Sequence, residues 1–154
     1  MKQNEFPLSA VAEIKLSYHP HFKANERPKI SEPKQCYKIF MDNWDLGLIE
    51  IQEQFKIMLL NRANRVIGIS EISKGGIDGA VVDARLIFAI ALKAGACSIV
   101  LVHNHPSGNL TPSKHDLNLT KRICECGKLL QIDIHDHLII SVDGYLSMAK
   151  EGLM

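Results

Sequence analysis

The stretch from Asp83 to His103 constrains the fold more than any other part of the chain. Leu86-Ile87-Phe88-Ala89-Ile90-Ala91-Leu92 is one unbroken apolar row. Asp83 ahead of it suits a helix N-cap, and Gly95 behind it suits a C-terminal stop. The spacing predicts a helix from Ala84 to about Ala94. A helix that is apolar nearly all round is expected to be buried on most sides. A short continuous apolar stretch follows at once, Ser98 to His103, and reads as a strand. Two such neighbours need layers of structure around them.

The rest of the chain supplies those layers. Gln52–Leu60 and Arg65–Ile72 read as strands joined by a turn at Asn61–Asn64, a hairpin-like pair. Gly75, Gly76 and Gly79 mark a loop, and so does Pro106–Pro112. Pro112–Leu130 reads as a helix with Leu119, Ile123, Cys126 and Leu130 on one stripe. Gln131–Val142 and Gly144–Ala149 read as strands about a turn at Asp143-Gly144. The expected fold class is α/β (α+β), a mixed sheet flanked by helices. Residues 1–44 differ: Pro7, Pro20, Pro28 and Pro33 fall there, so an extended arm is expected. Within it, Val11–Tyr18 alternates like a strand, and Pro33–Trp44 carries Tyr37, Phe40 and Trp44 at helical spacing. The expected organisation is an arm with a short helix over 1–44 and one domain over 45–154.

Composition narrows the function classes. No apolar run reaches the roughly 18 residues of a membrane span. Met1–Pro20 lacks a signal-peptide core, so a cytoplasmic location is expected. Lys plus Arg is 18 against 17 for Asp plus Glu, a net charge of +1. Proteins held on DNA by bulk positive charge are usually more basic, so DNA contact is not indicated by charge. Cys36, Cys97, Cys124 and Cys126 form no metal-type or secreted-type spacing. Cys124 and Cys126 lie about 200° apart on a helix and read as small apolar residues.

The chemistry concentrates around His103. In a strand, residues two apart share a face, so His103 and His105 project side by side and Asn104 faces away. Pro106 ends the strand and puts both imidazoles at the sheet's rim. Two neutral imidazoles there are two ligands of a zinc site. Thr111 before Pro112 reads as an N-cap and first-turn proline, and Ser113 with Asp116 fits a capping box. Asp116 also shares a helical face with Leu119 and Ile123. A carboxylate on an apolar stripe needs a partner, because burying it alone costs several kcal/mol. A metal held by His103 and His105 would be one. Hydrolysis by zinc needs three protein ligands, an open position and a carboxylate base outside the ligand set. Glu53, on the row of Phe55, Ile57 and Leu59, is a candidate base; Glu71, after Ile67 and Ile69, competes. Alternation does not choose between them.

His103-x-His105, seven residues, Ser113, two residues, Asp116 matches the H-x-H-x7-S-x2-D signature of the JAMM (MPN+, JAB) metalloproteases. The wording His103-Asn104-His105-Pro106-Ser107-Gly108, with Pro112-Ser113 and Asp136-His137-Leu138-Ile139-Ile140, resembles the RadC branch of that superfamily. The likeness spans roughly residues 45–152. It implies a JAMM/cytidine-deaminase-like fold and one Zn2+ per chain, bound by His103, His105 and Asp116. It favours Glu53, at the head of an apolar strand, as the base that accepts a proton from a metal-activated water and passes it to the leaving amine. Ser113 would donate to the oxyanion. The implied reaction is hydrolysis of a peptide or isopeptide bond, with a peptide or protein as substrate. The alternative is a RadC-type DNA-repair-associated or scaffold protein without turnover. RadC-type proteins resemble a helix-hairpin-helix segment followed by this domain; residues 1–44 show no such pattern, which lowers the expectation of DNA contact.

Asp136 and His137 are expected to support the site from behind the ligands. His135 and His137, with Asp133 on their face, form a weaker candidate for a second metal pair. His115 reads as exposed, and Lys121 and Arg122 as a solvated helix face. His103-Asn104-His105 is not an HNH nuclease motif, whose three residues are far apart in sequence.

Overall fold

A computed structural model describes residues 19–76 and 80–154. The expected strand Val11–Tyr18 and Gly79 lie outside the described residues. The strands are β1 (Gln54–Leu60), β2 (Val66–Lys74), β3 (Ser98–Asn104), β4 (Asp133–Ser141) and β5 (Gly144–Ser147). The helices are α1 (Pro33–Asp42), α2 (Ala84–Ala94) and α3 (Lys114–Leu130). One five-stranded sheet runs in the order β2-β1-β3-β4-β5. β3 and β4 are parallel, with α3 as their crossover, and the other neighbours are antiparallel. The fold is therefore the mixed sheet with flanking helices that the patterning predicts.

Local chemistry sets the element ends. The β1–β2 turn is tied by Asn61 Oδ1, which accepts from the backbone N–H of Ala63 and of Arg65 at 3.0 Å each. Asn64 takes the left-handed backbone there, φ 56°, a conformation asparagine tolerates. Asp83 caps α2 by accepting from Arg85 N at 2.9 Å, and Gly95 ends it at φ 65°. At α1 the Gln35 side chain accepts from the backbone N–H of Ser31 and Glu32, at 2.7 and 3.3 Å.

The sheet is covered on both faces. On one, Phe55, Ile57, Leu59, Ile99 and Leu101 pack under α2 and α3. On the other, Met58, Leu60, Val100, Val102 and Leu138 pack under Cys36, Phe40 and Trp44 from α1 and its C-terminal extension. Alternation in β1 thus separates two buried faces. Gln54, Lys56 and Met58, the less apolar row, are 1%, 9% and 0% exposed. Lys56 reaches the α1 side and sets its ammonium 4.2 Å above the Trp44 ring.

The expected all-round burial of α2 is corrected. Ile87, Phe88 and Ala91 face the core, but Leu86 and Leu92 are 50% and 51% exposed. β1 and β2 lie under one side of α2 and α3 lies beside it. No described helix is long and apolar enough to cross a membrane.

This layering makes α1 part of the packed unit. Phe40→Ala empties the centre of the α1 face, where Phe40 is 0% exposed. The expected loss is about 3–5 kcal/mol of stability, read by urea denaturation. A loss under about 1 kcal/mol would show that α1 rests loosely on the sheet.

Candidate metal centre

His103 lies near the end of β3, His105 just beyond that strand, and Asp116 in the first turn of α3. The crossover thus returns the start of α3 to the strand end where the histidines sit. His103 Nε2 and His105 Nε2 are 2.9 Å apart. Asp116 Oδ1 lies 3.3 Å from His103 Nε2, and Oδ2 lies 3.5 Å from His105 Nε2. Ligand atoms around a tetrahedral zinc, with Zn–N of about 2.0–2.1 Å, stand about 3.3 Å apart. The three groups therefore have the spacing of ligands on one small ion, and they could hold a metal. His103 and Asp116 are buried, at 1% and 6% exposed, while His105 is half-buried.

The hydrogen bonds aim these donors. His105 Nδ1 is 2.6 Å from the Asn109 carbonyl, which can only accept, so the ring proton sits on Nδ1 and Nε2 offers its lone pair inward. Asp116 Oδ2 accepts from Ser113 N at 2.7 Å, and Ser113 Oγ accepts from Asp116 N at 3.1 Å. This reciprocal capping box makes Ser113 the N-cap of α3. The sequence reading of Thr111 as N-cap with Pro112 in the first turn is corrected: both lie in the preceding loop. The Ser113 bond uses an oxygen lone pair and leaves the hydroxyl proton available to another acceptor.

The electrostatics match an anionic ligand set. Burial pushes the Asp116 carboxyl up, but the neighbouring His103 and His105 rings and the Ser113 N–H outweigh it and hold the group well below the usual carboxylate range. The nearby Asp116 carboxylate raises His105 in turn. The fully buried His137 is pushed well below the usual imidazole range, first by desolvation and then by His103.

His137 meets the site directly, as expected, with its Nε2 2.8 Å from His103 Nδ1. Thr120 Oγ1 sits 2.6 Å from His137 Nδ1. Sequence reasoning missed Thr120, although it lies one turn beyond Asp116 on the same helix face. Phe55 walls the pair, stacked on His103 at 6.1 Å and edge-on to His137 at 5.5 Å. Asp136 does not reach the ligands. Its carboxylate accepts from His137 N (2.8 Å), Ala149 N (3.0 Å) and Ser147 Oγ (2.6 Å), tying β4 to the chain after β5. The second metal pair is not formed either. The β3–β4 register shifts between Ile99 and Val100, so His135 falls in a bulge and is exposed while His137 is 0% exposed.

Glu53 immediately precedes β1 and is half-buried. It lines an open groove of about 1070 Å³ together with His105, Ser113 and Asp116. Glu71 is exposed, 3.5 Å from Lys74 Nζ, and does not line the groove. The segment leading to Glu53 is pinned by Asn104, which faces away from the histidines as expected and is 0% exposed. Its Nδ2 donates to the carbonyls of Ile49 (2.7 Å) and Gln52 (2.9 Å), and its Oδ1 accepts from Gln54 N (2.7 Å). The same β3 end therefore carries two candidate ligands on one face and an anchor for the candidate base on the other. His115 is exposed on the groove wall, and Lys121 and Arg122 are exposed on α3.

Comparison with known proteins agrees with this geometry. The model of the RadC-like JAB domain matches residues 30–153, a span that takes in α1 and every described strand. A UPF0758 protein of Clostridium botulinum (strain Hall) is 40% identical over 143 residues, covering 93% of this chain and 61% of that protein. A UPF0758 protein of Flavobacterium johnsoniae is 46% identical over 101 residues, covering 66% of this chain and 44% of that protein. The chain thus spans about three-fifths of the length of its clostridial relatives. On the family match and on the centre at the end of β3, the chain belongs to the RadC-like JAB domain family.

Proposed function

We propose that this protein is a zinc-dependent hydrolase of the JAMM type that cuts a peptide or isopeptide bond. The observation that carries the reading is the convergence of His103 Nε2, His105 Nε2 and the Asp116 carboxylate within 2.9–3.5 Å beside a groove that His105 and Asp116 line. Two nitrogens and one carboxylate oxygen suit zinc and leave a fourth position free. When bound, zinc would supply a water of pKa about 7 and polarise a carbonyl oxygen.

The remaining roles fall to the chain's own groups. Glu53 stands on the groove outside the ligand set, where its carboxylate can take a proton and return it to a leaving amine. Ser113 holds an uncommitted hydroxyl proton at the groove, suited to an oxyanion. The groove favours a peptide over a nucleic acid. Among its described lining residues are Glu50, Glu53 and Asp116, and there is no Lys or Arg to meet a phosphate.

Full-length protein purified without chelators is expected to carry about one zinc per chain by elemental analysis. His103→Ala should weaken zinc binding by more than about 100-fold. Metal-free wild-type protein that does not take up zinc would overturn the proposal. Glu53→Gln should keep its zinc but cut hydrolysis of a proteome-derived peptide and protein mixture, read by mass spectrometry of new termini, by about 10²–10⁴-fold. DNA binding with a steep salt dependence, together with no zinc-dependent cleavage, would favour the accessory role instead.

A further inference from the structure

We infer that Thr120, acting through His137, fixes the tautomer in which His103 presents Nε2 to the metal centre. The inference deepens the metal-binding reading above and rests on it. It starts from a group that cannot donate, the backbone carbonyl of Asp116. Thr120 Oγ1 donates to that oxygen at 2.7 Å. A hydroxyl has one proton, so its 2.6 Å contact with His137 Nδ1 runs from Nδ1–H to Oγ1. The thioether of Met148, 3.8 Å from Oγ1, is a weak alternative acceptor. A neutral imidazole carries one N–H, so His137 Nε2 has a lone pair. His103 Nδ1, 2.8 Å away, donates to it. His103 Nε2 is then left as a lone pair aimed at His105 and Asp116.

The opposite direction conflicts with a metal at the site. Thr120 would have to release the Asp116 carbonyl and give its proton to His137. His103 would then carry its proton on Nε2, in the space between the His105 nitrogen and the Asp116 carboxylate. Water cannot correct the order, because Thr120 is 1%, His137 0% and His103 1% exposed. The two candidate ligands are thus set by two separate carbonyls: Asn109 acts on His105 directly, and Asp116 acts on His103 through two side chains. Asp116 both starts the chain with its carbonyl and faces its end with its carboxylate. Thr120 is a positioning residue, and nothing in the sequence pattern had marked it.

Long-range proton–nitrogen NMR of the full chain, with zinc added and with zinc chelated, reads the tautomers of His103 and His137 directly. Both are expected as Nδ1–H forms in wild type and in Thr120→Ser. Thr120→Val should turn His137 to the Nε2–H form in the chelated sample and weaken zinc binding by about 10- to 100-fold in chelator competition. Thr120→Ser should stay within about threefold of wild type. A wild-type His137 with its proton on Nε2 would overturn the inference, and that result needs no variant to fold. Thr120→Val with unchanged tautomers and unchanged zinc affinity would overturn it as well. A wild type that takes up no zinc would instead sink the metal reading, while the NMR of that same sample still decides the hydrogen-bond order.

Discussion

Three groups that can each offer a lone pair meet at the end of β3, and no Lys or Arg is among the described residues lining the groove beside them. Two imidazole nitrogens 2.9 Å apart, both directed inward, repel unless a proton or a metal lies between them. The buried Asp116 carboxylate sharpens the demand, since a charge out of water needs a partner of opposite sign. Much of the surrounding structure serves to keep these groups in place. The Ser113 capping box holds the carboxylate, the Asn109 carbonyl holds His105, and the Phe55 ring lies against His103.

The topology explains why the groups can meet at all. A parallel β3–β4 pair requires a crossover, and α3 makes it. The start of that helix returns to the end of β3, where a carboxylate in the first turn is favoured by the helix dipole in any case. The antiparallel β1–β3 pair brings Phe55 opposite His103, so the chain just before β1 arrives at the same rim. Asn104 then anchors that chain from the other face of β3. The candidate ligands, base candidate and groove share one end of the sheet because the β3–α3 connection and the chain before β1 converge there.

The candidate ligand set was legible because its constraints are local and periodic. Strand alternation placed His103 and His105 on one face, and helical spacing placed Asp116 on a buried stripe. Glu53 needed more: alternation left it level with Glu71, and only the resemblance separated them. The structure puts Glu53 on the groove and Glu71 in solvent. What stayed hidden depends on contacts between distant elements. Thr120 is an ordinary helical residue until β4 sets His137 against it. The bulge that separates His135 from His137 is a matter of pairing register, which no single strand encodes. Leu86 and Leu92 look like core residues, yet one sheet can cover only one side of α2. The wet-looking row of β1 proves buried because α1 forms a second layer over it, and the family match from residue 30 includes that helix.

The central claim is that a zinc ion completes the cluster of His103, His105 and Asp116. Anomalous diffraction at the zinc edge, from crystals grown with zinc, tests it most directly. The account predicts one anomalous peak per chain, about 2.0–2.2 Å from His103 Nε2, His105 Nε2 and an Asp116 carboxylate oxygen, with the fourth position facing the groove. A metal-loaded crystal with no peak between these three groups would contradict it.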